Sequence, residues 1–388
     1  MALQFPHCAG DDDPGVLAAW LRLVLIDDLG SAACRRLLER FGLPGQVLGA
    51  PVAALRELLP PQLAAAIAAP PTPALSARIA AALAWAEQPG HTIVTLADAA
   101  YPPLLLSIAD PPVLLYVRGR VALLQAPAVA VVGSRNATRQ GVEHAGRFSS
   151  ELARAGLTVV SGLALGIDAA AHSGAVDQPG STVAVIGTGI DIDYPNGNRA
   201  LAEHIAGAGC IVSEYPLGAP PLAYHFPRRN RLISGLARAV LVIEAAAQSG
   251  SLITARLAAE QGRDVFALPG SIHSPLSKGC HQLIREGAKL VETTRDILDE
   301  LPAYLLTAES SDNADCHSAN ASAQDGKEGG TSGDAHLVMT AIGHDPADAD
   351  TLAARCKLGP ARLADVLLTL ELEGRVEMLP GAHYRRLG

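Results

Sequence analysis

AVAVVGSRNATRQG, residues Ala128–Gly141, decides the fold. Its first five residues form an unbroken apolar run of the kind that makes a strand buried on both faces, and Gly133 ends it. A helix is predicted to follow, with Thr138 at its start. Strand, tight turn and helix are the opening unit of a doubly wound sheet. A dinucleotide-binding turn would read GxGxxG, so that bare backbone could approach a pyrophosphate. Here only the first glycine is present, followed by Ser134 and Arg135. A cation beside the positive end of a helix is unfavourable unless an anion joins it, so the turn is expected to meet one.

The same texture continues on both sides of this unit. From His91 to Glu300, apolar runs alternate with helical patterns: TIVTL, VLLYV, AVAVV, LTVVS, TVAVI, CIVS, AVLVIEA, DVFALPG and KLVE. Such alternation predicts an α/β fold, an extended Rossmann-like, doubly wound and mostly parallel sheet over 89–304. Ligands of such sheets sit beyond the carboxyl ends of the strands, where strand order reverses. Residues 1–88 read as an N-terminal helical domain, with Ser31 as an N-cap and Gly42 as a C-cap. Its helix, Leu29-Gly30 turn and helix loosely match a helix-hairpin-helix, although a plain packing module fits as well. The polar, low-complexity stretch 305–335 is expected to be a disordered linker. Three helical patterns and a hairpin over 336–388 predict a winged helix.

The chain has 388 residues, 49% of them hydrophobic and only 4% aromatic, ample for several packed domains. Its formal charge of -9 argues at first sight against a nucleic-acid partner. The acid is not evenly spread, however: Asp11–Asp13 form one cluster, 307–336 adds several more carboxylates, and the roughly neutral block between contains tight arginine clusters. A polyanion therefore stays admissible. Cysteines 8, 34, 210, 280, 316 and 356 form no CxxC pair, which fits reduced thiols better than disulfides or a zinc site. No run is long enough to span a bilayer and the start lacks a signal-peptide pattern, so a cytoplasmic protein without membrane contact is expected.

Four loops after strands carry small or hydroxyl residues suited to phosphate oxygens. They are Gly133-Ser134-Arg135; Ser161-Gly162 leading to His172; Gly187 to Tyr194-Pro195, Asn198 and Arg199; and Ser249-Gly250-Ser251 with Thr254. Between the last two, Phe226, Arg228, Arg229 and Arg231 interleave an aromatic ring with cations. A single-strand surface needs that combination, and a solvated basic turn would also show it. Asn230 reads as a structural staple and His172 as a packed histidine. Asp168 and Glu244 have no visible acid–base partner. Neither a nucleophile elbow nor a P-loop occurs, so no catalytic residue, metal or cofactor is expected.

Motifs over the central block give the array a family likeness. In order they are GSR (133–135), SGLAxGID (161–168), GTGxDxxYPxxN (187–198), SEYPLGxxP (213–220), FPxRNRxISGL (226–236), SGSLITA (249–255), GRDVFALPGS (262–271) and GCHQLIREGAKLV (279–291). This resembles the DNA-processing protein A (DprA/Smf) family. The resemblance implies a homodimer that binds single-stranded DNA. It also implies a non-enzymatic mediator that protects incoming DNA and helps load the RecA recombinase during natural transformation. Family contacts carry over to Arg135, to Ser161 and Gly162, and to Tyr194, Pro195 and Asn198. Lysines common in the family are replaced by Leu165 and Asn196, with Arg199, Arg139 or Arg228 as substitutes. In the presumed recognition helix Asp365, Glu371 and Glu373 face a lone Arg362, which suits an interaction module better than a groove reader, although Arg385-Arg386 leaves a DNA role open. The apolar stretch ILDELPAYLL, 297–306, is expected at a dimer surface or in an intramolecular stripe. Two other classes remain: a nucleotide-handling enzyme of the base–ribose hydrolase kind with Glu244 as its acid, and a nucleotide sensor.

Overall fold

All nine apolar runs named above become strands of one sheet. The computed structural model describes residues 14–301 and, further on, 338–339, 342, 347–356, 358–379 and 383–387. The expected linker, 305–335, lies outside the described residues. The chain divides into two compact units, Met1–Glu309 and Ser310–Gly388.

In the first unit, helices α1 (Pro14–Val24), α2 (Ser31–Phe41), α3 (Pro44–Leu48), α4 (Val52–Arg56), α5 (Pro61–Ala68) and α6 (Pro73–Ala86) precede the sheet. Gly42 closes α2 as expected, at φ 93°, its N–H donating to Leu38 O. Ser31 is not the N-cap: the extended residue before the helix is Gly30, and Ser31 is already the first helical residue. The apolar faces of these helices join the sheet's own core, so Leu21, Leu37 and Trp85 share one cluster with Leu105, Tyr116 and Leu236.

The sheet then follows: β1 (His91–Thr95), α7 (Pro103–Leu106), β2 (Leu114–Gly119), β3 (Ala128–Val132), α8 (Arg139–Arg154), β4 (Thr158–Ser161), α9 (Ile167–Ala175), β5 (Thr182–Val185), α10 (Arg199–Ala208), β6 (Cys210–Ser213), α11 (His225–Leu236), β7 (Ala239–Val242), α12 (Gly250–Glu260), β8 (Asp264–Ala267), α13 (Lys278–Arg285), β9 (Lys289–Leu290) and α14 (Thr294–Leu298). Strand order is β1-β2-β6-β5-β4-β3-β7-β8-β9. Every neighbour from β6 to β9 is parallel, and β1-β2 and β2-β6 are antiparallel. Strand β3 shows why its run is unbroken. Val129 and Val131 pack with Phe148 and Leu152 of α8 and Ala171 of α9. Ala130 and Val132 point the other way, into the cluster holding Leu232 and Ile233 of α11. A strand covered on both faces has no polar side to alternate with.

The chain leaves β3 toward β4, β5 and β6, then returns with β7 on the opposite flank of β3. The reversal therefore falls between β3 and β7. Of the apolar stretch after β9, Ile297 and Leu301 are buried in the core beside α8, and Leu298 packs against it. These residues form an intramolecular stripe, and 302–306 lie outside the described residues.

In the second unit, β10 (Ala347–Asp348), α15 (Ala349–Cys356), α16 (Pro360–Leu372), β11 (Val376–Leu379) and β12 (His383–Arg386) follow. The strands pair in the order β10-β12-β11, so the predicted hairpin is present. Leu363, Val366, Leu367 and Leu370 give α16 a buried stripe with Val338 and Ile342. Arg362, Asp365, Leu368 and Glu371 of the same helix are exposed. Among the described residues, no helix is long and apolar enough to cross a membrane. Among the described residues Cys34, Cys210, Cys280 and Cys356 form no disulfide, and burial pushes Cys34 up to about 12.

Candidate nucleic-acid interface

The carboxyl ends of β3 and β7 open into a crevice of about 710 Å³. Its walls are the turn Gly133–Asn136, the first turns of α11 with Phe226 and Arg229, Tyr194, and the start of α12 from Ser249 to Thr254. Arg135 is exposed and makes no ion pair or hydrogen bond among the described residues. Its guanidinium carbon stands 5.7 Å from the centroid of the Phe226 ring. That ring lies 5.4 Å from the ring of Tyr194. One free cation and two rings thus share one wall.

Glycines make this turn possible by packing. A Cβ on Gly133 would come within 2.6 Å of Ile167 Cγ1. Gly166, at φ 79°, lets the chain pass under the turn, where a side chain would meet Ser134 O at 2.4 Å. Ser134 is buried, and its hydroxyl accepts from Asn136 N at 3.2 Å, which tightens the turn.

Thr138 caps α8, its hydroxyl accepting from Gly141 N at 3.0 Å. The anion expected at this helix end comes from the chain itself: Glu244 accepts from Thr138 N at 2.9 Å and from Thr138 Oγ1 at 2.6 Å. Glu244 is therefore not a lone carboxylate, and it does not border the crevice. The helix that does end in the crevice is α12. Ser249 caps it, accepting from Ser251 N at 3.3 Å, and the space beside Gly250 is open. Asn230 donates to Gly250 O at 3.3 Å, the staple expected of it.

The loop after β4 is placed differently from its expected role. Ser161 is fully buried, its hydroxyl donating to Val131 O at 2.6 Å. The amides of Gly162 and Ala164 donate to Asp168 Oδ2 at 3.1 and 3.4 Å, and Leu163 N donates to His172 Nε2 at 3.3 Å. The Ser161 hydroxyl and the amides of Gly162, Leu163 and Ala164 are thus engaged within the protein, and this part of the loop is a floor. His172 is buried and its Nδ1 bonds Thr182 Oγ1 at 2.7 Å, so Nε2 accepts and Nδ1 carries the proton. Burial, and then the positive charge of Arg229, push its pKa down to about 3.

The three arginines after Phe226 lie on a helix, not on a turn, and so they diverge. Arg229 is buried at the crevice floor, donating to Gly162 O at 2.8 Å and to Val185 O. Burial lowers its pKa to about 10; attraction to Asp168 opposes this and repulsion from Arg135 adds to it. Burial likewise drives Asp168 upward against the pull of Arg229. Arg231 points away from the crevice, to Glu214 and, at 3.2 Å, to Asp110, which also binds Arg35 of α2 at 2.6 Å. Arg228 is exposed and donates to Ser31 Oγ at 3.2 Å. Neither Arg228 nor Arg231 lines the crevice.

From the YPxxN loop only Tyr194 borders the crevice. Asn198 is buried and donates to Leu163 O and Ala164 O at 2.9 and 3.2 Å, joining two loops. Arg199 is exposed and pairs with Asp193 at 3.1 Å. Asn136, Gln248 and Ile253 also line the crevice. No sequence signal marked them, since an isolated amide or apolar side chain carries no pattern. Among the described residues no group of acidic, His and Cys side chains could hold a metal ion.

A doubly wound sheet with a cationic, ring-lined crevice at its point of strand reversal defines a Rossmann-like binding protein. Residues 92–302 match the family described as DNA recombination-mediator protein A, and 321–382 match the DprA winged helix domain. The chain belongs to the DNA recombination-mediator protein A family. It is 40% identical to protein Smf of Escherichia coli over 312 residues, covering 79% of this chain and 80% of that one. It is 51% identical to the DNA processing protein DprA of Streptococcus pneumoniae over 206 residues, covering 53% and 73%. The X-ray structure of DprA from Streptococcus pneumoniae superposes with a TM-score of 0.61 at 40% identity, covering 73% of this chain and 96% of that chain.

Proposed function

We propose that the crevice binds single-stranded DNA and that the protein is a recombination mediator without chemical turnover. One observation carries the reading: Arg135 is a free, exposed guanidinium standing against the Phe226 ring at the mouth of the crevice. A phosphodiester would meet Arg135, the first turn of α12 and the Ser249 and Ser251 hydroxyls. Bases would stack on Phe226 and Tyr194, an arrangement that takes any sequence because every base has a π-face. Arg229 supplies a second positive charge from the floor. Within this reading the protein acts as a homodimer, shields incoming DNA during natural transformation and helps RecA assemble on it. Salt titrations of single- and double-stranded oligonucleotide binding, run with and without RecA, test it. Preference for single strands, a steep salt dependence and faster RecA assembly are expected. Equal affinity for both forms, or saturable binding of a mononucleotide with no gain for longer strands, would overturn it.

A further inference from the structure

A doubly wound sheet places its ligand where strand order reverses, classically with phosphate on the helix that follows the central strand. Here that helix is α8, and the reversal lies between β3 and β7. Two side chains meet at this point. Thr138 precedes α8, and Glu244 stands two residues past the end of β7. The carboxylate accepts from both the amide and the hydroxyl of Thr138, at 2.9 and 2.6 Å. A Cβ on Gly141 would come within 2.4 Å of the Glu244 carboxyl carbon, so the bare backbone there makes the space that the carboxylate fills. Neither Thr138 nor Glu244 borders the crevice, which opens beyond them.

We propose that Glu244 is a built-in anion: it occupies the helix end at which this fold would hold a nucleotide phosphate, and it fixes the turn that presents Arg135. A carboxylate on these donors excludes a second anion in two ways, by filling the hydrogen bonds and by like-charge repulsion. Its negative charge also offsets the positive end of α8, next to which the chain carries Arg135 and Arg139. The turn from Gly133 to Thr138 is then anchored at both ends, by β3 at one and by Glu244 at the other. Glu244 is thus a specificity and positioning residue that touches no DNA itself. The positioning half rests on the crevice reading; the exclusion half does not.

The full-length protein and the variants Glu244→Gln, Glu244→Ala, Arg135→Ala and Glu244→Ala/Arg135→Ala separate these parts. Two readouts are used: affinity for a labelled oligothymidylate, and the shift of the unfolding temperature on adding inorganic pyrophosphate. Glu244→Ala is expected to weaken oligonucleotide binding about tenfold, the order of one or two lost positioning hydrogen bonds. The double variant should bind no more weakly than Arg135→Ala, because the two changes act through one side chain. Glu244→Gln, which keeps an acceptor oxygen, should restore most of the affinity. Pyrophosphate should stabilise Glu244→Ala and leave the parent protein unchanged. Losses that multiply in the double variant, or no pyrophosphate response in Glu244→Ala, overturn the proposal. Full affinity in Arg135→Ala would instead remove the crevice reading, and the pyrophosphate arm alone would then decide the role of Glu244. Should Glu244→Ala fail to fold, Glu244→Gln carries the pyrophosphate arm, because it removes the like charge, and Thr138→Val, which removes the hydroxyl contact and keeps the amide one, carries the affinity arm. No pyrophosphate response in Glu244→Gln, or losses that multiply between Thr138→Val and Arg135→Ala, would overturn the proposal.

Discussion

The guanidinium of Arg135 lies over the ring of Phe226, 5.7 Å from its centroid, although one residue sits in the turn after β3 and the other in the first turn of α11. The ring holds the cation in the open without neutralising it, since a cation–π contact leaves the charge available to a phosphate.

Charge and stacking should therefore separate cleanly on the two residues. Arg135→Ala is expected to weaken binding to all sequences alike and to reduce the salt slope by about 0.7, the value for one single-strand phosphate contact. Phe226→Ala should cost about 1–3 kcal/mol of binding, the range for one lost base stack, at nearly unchanged salt slope. Fluorescence anisotropy across a salt series reads both. Identical slopes in the parent and Arg135→Ala would remove this residue from the phosphate path.

Arg231 makes the opposite case. It lies two residues after Arg229 on α11, yet its partners are Glu214 and Asp110, and Asp110 also binds Arg35 of the helical region. Arg231→Met leaves Glu214, almost fully buried, without its cation. Breaking such a pair typically costs about 3–5 kcal/mol of stability. Urea unfolding should show that loss, whereas the salt slope of DNA binding should stay at the parent value because no phosphate contact is removed. A changed slope with unchanged stability would place Arg231 in the interface.

These two arginines also show where the sequence was legible. The nine strands, the capping threonine and the Asn230 staple were readable because periodicity and local chemistry define them within a few residues. The strand–turn–helix pattern placed Arg135 at the carboxyl end of β3, and there it lines the crevice. The directions of Arg228, Arg229 and Arg231 were not readable, because a cluster of cations looks alike on a turn and on a helix, where successive residues diverge. Ser161 and Gly162 were misplaced for a related reason: Val131 and Arg229, which bind Ser161 Oγ and Gly162 O, lie 30 and 67 residues away and are brought there by the tertiary fold. Glu244 and Thr138 are 106 residues apart, and only the pairing of β3 with β7 brings them together.

His172 gives a pH dependence whose sign follows from its environment. Its pKa falls from 6.5 to about 3 in the folded protein, mainly through burial. Below pH 6.5 the unfolded chain takes up a proton that the folded protein refuses, so stability is full above 6.5 and declines as pH falls toward 3. At pH 5 the loss from this group is about 2 kcal/mol, at 1.36 kcal/mol for each unit below the unfolded value. Denaturant midpoints of the parent and His172→Gln at pH 7.5 and pH 5 isolate the term. The glutamine variant starts less stable but should lose less on acidification. Parallel losses in both would assign the acid sensitivity to other groups.

Leu165 supplies the last test, because it is an exposed apolar side chain in a loop that joins the crevice through Ala164. It is 50% exposed. It also stands close to the neighbouring loop: a Cβ on Gly197 would lie 3.4 Å from Leu165 Cδ2. Lys at this position would extend a mobile ammonium toward the mouth of the crevice at little cost to packing. Leu165→Lys is therefore expected to tighten single-strand binding at low salt and to steepen the salt slope by about 0.7, one further phosphate. The gain should shrink as salt rises, since the added contact is exposed and screened over about 8–10 Å at physiological ionic strength. Stability should stay within about 0.5 kcal/mol of the parent, as for other exposed surface changes. If Leu165→Lys left both affinity and slope unchanged, bound DNA would have to run on the far side of the crevice, along α12 and away from the loop after β4.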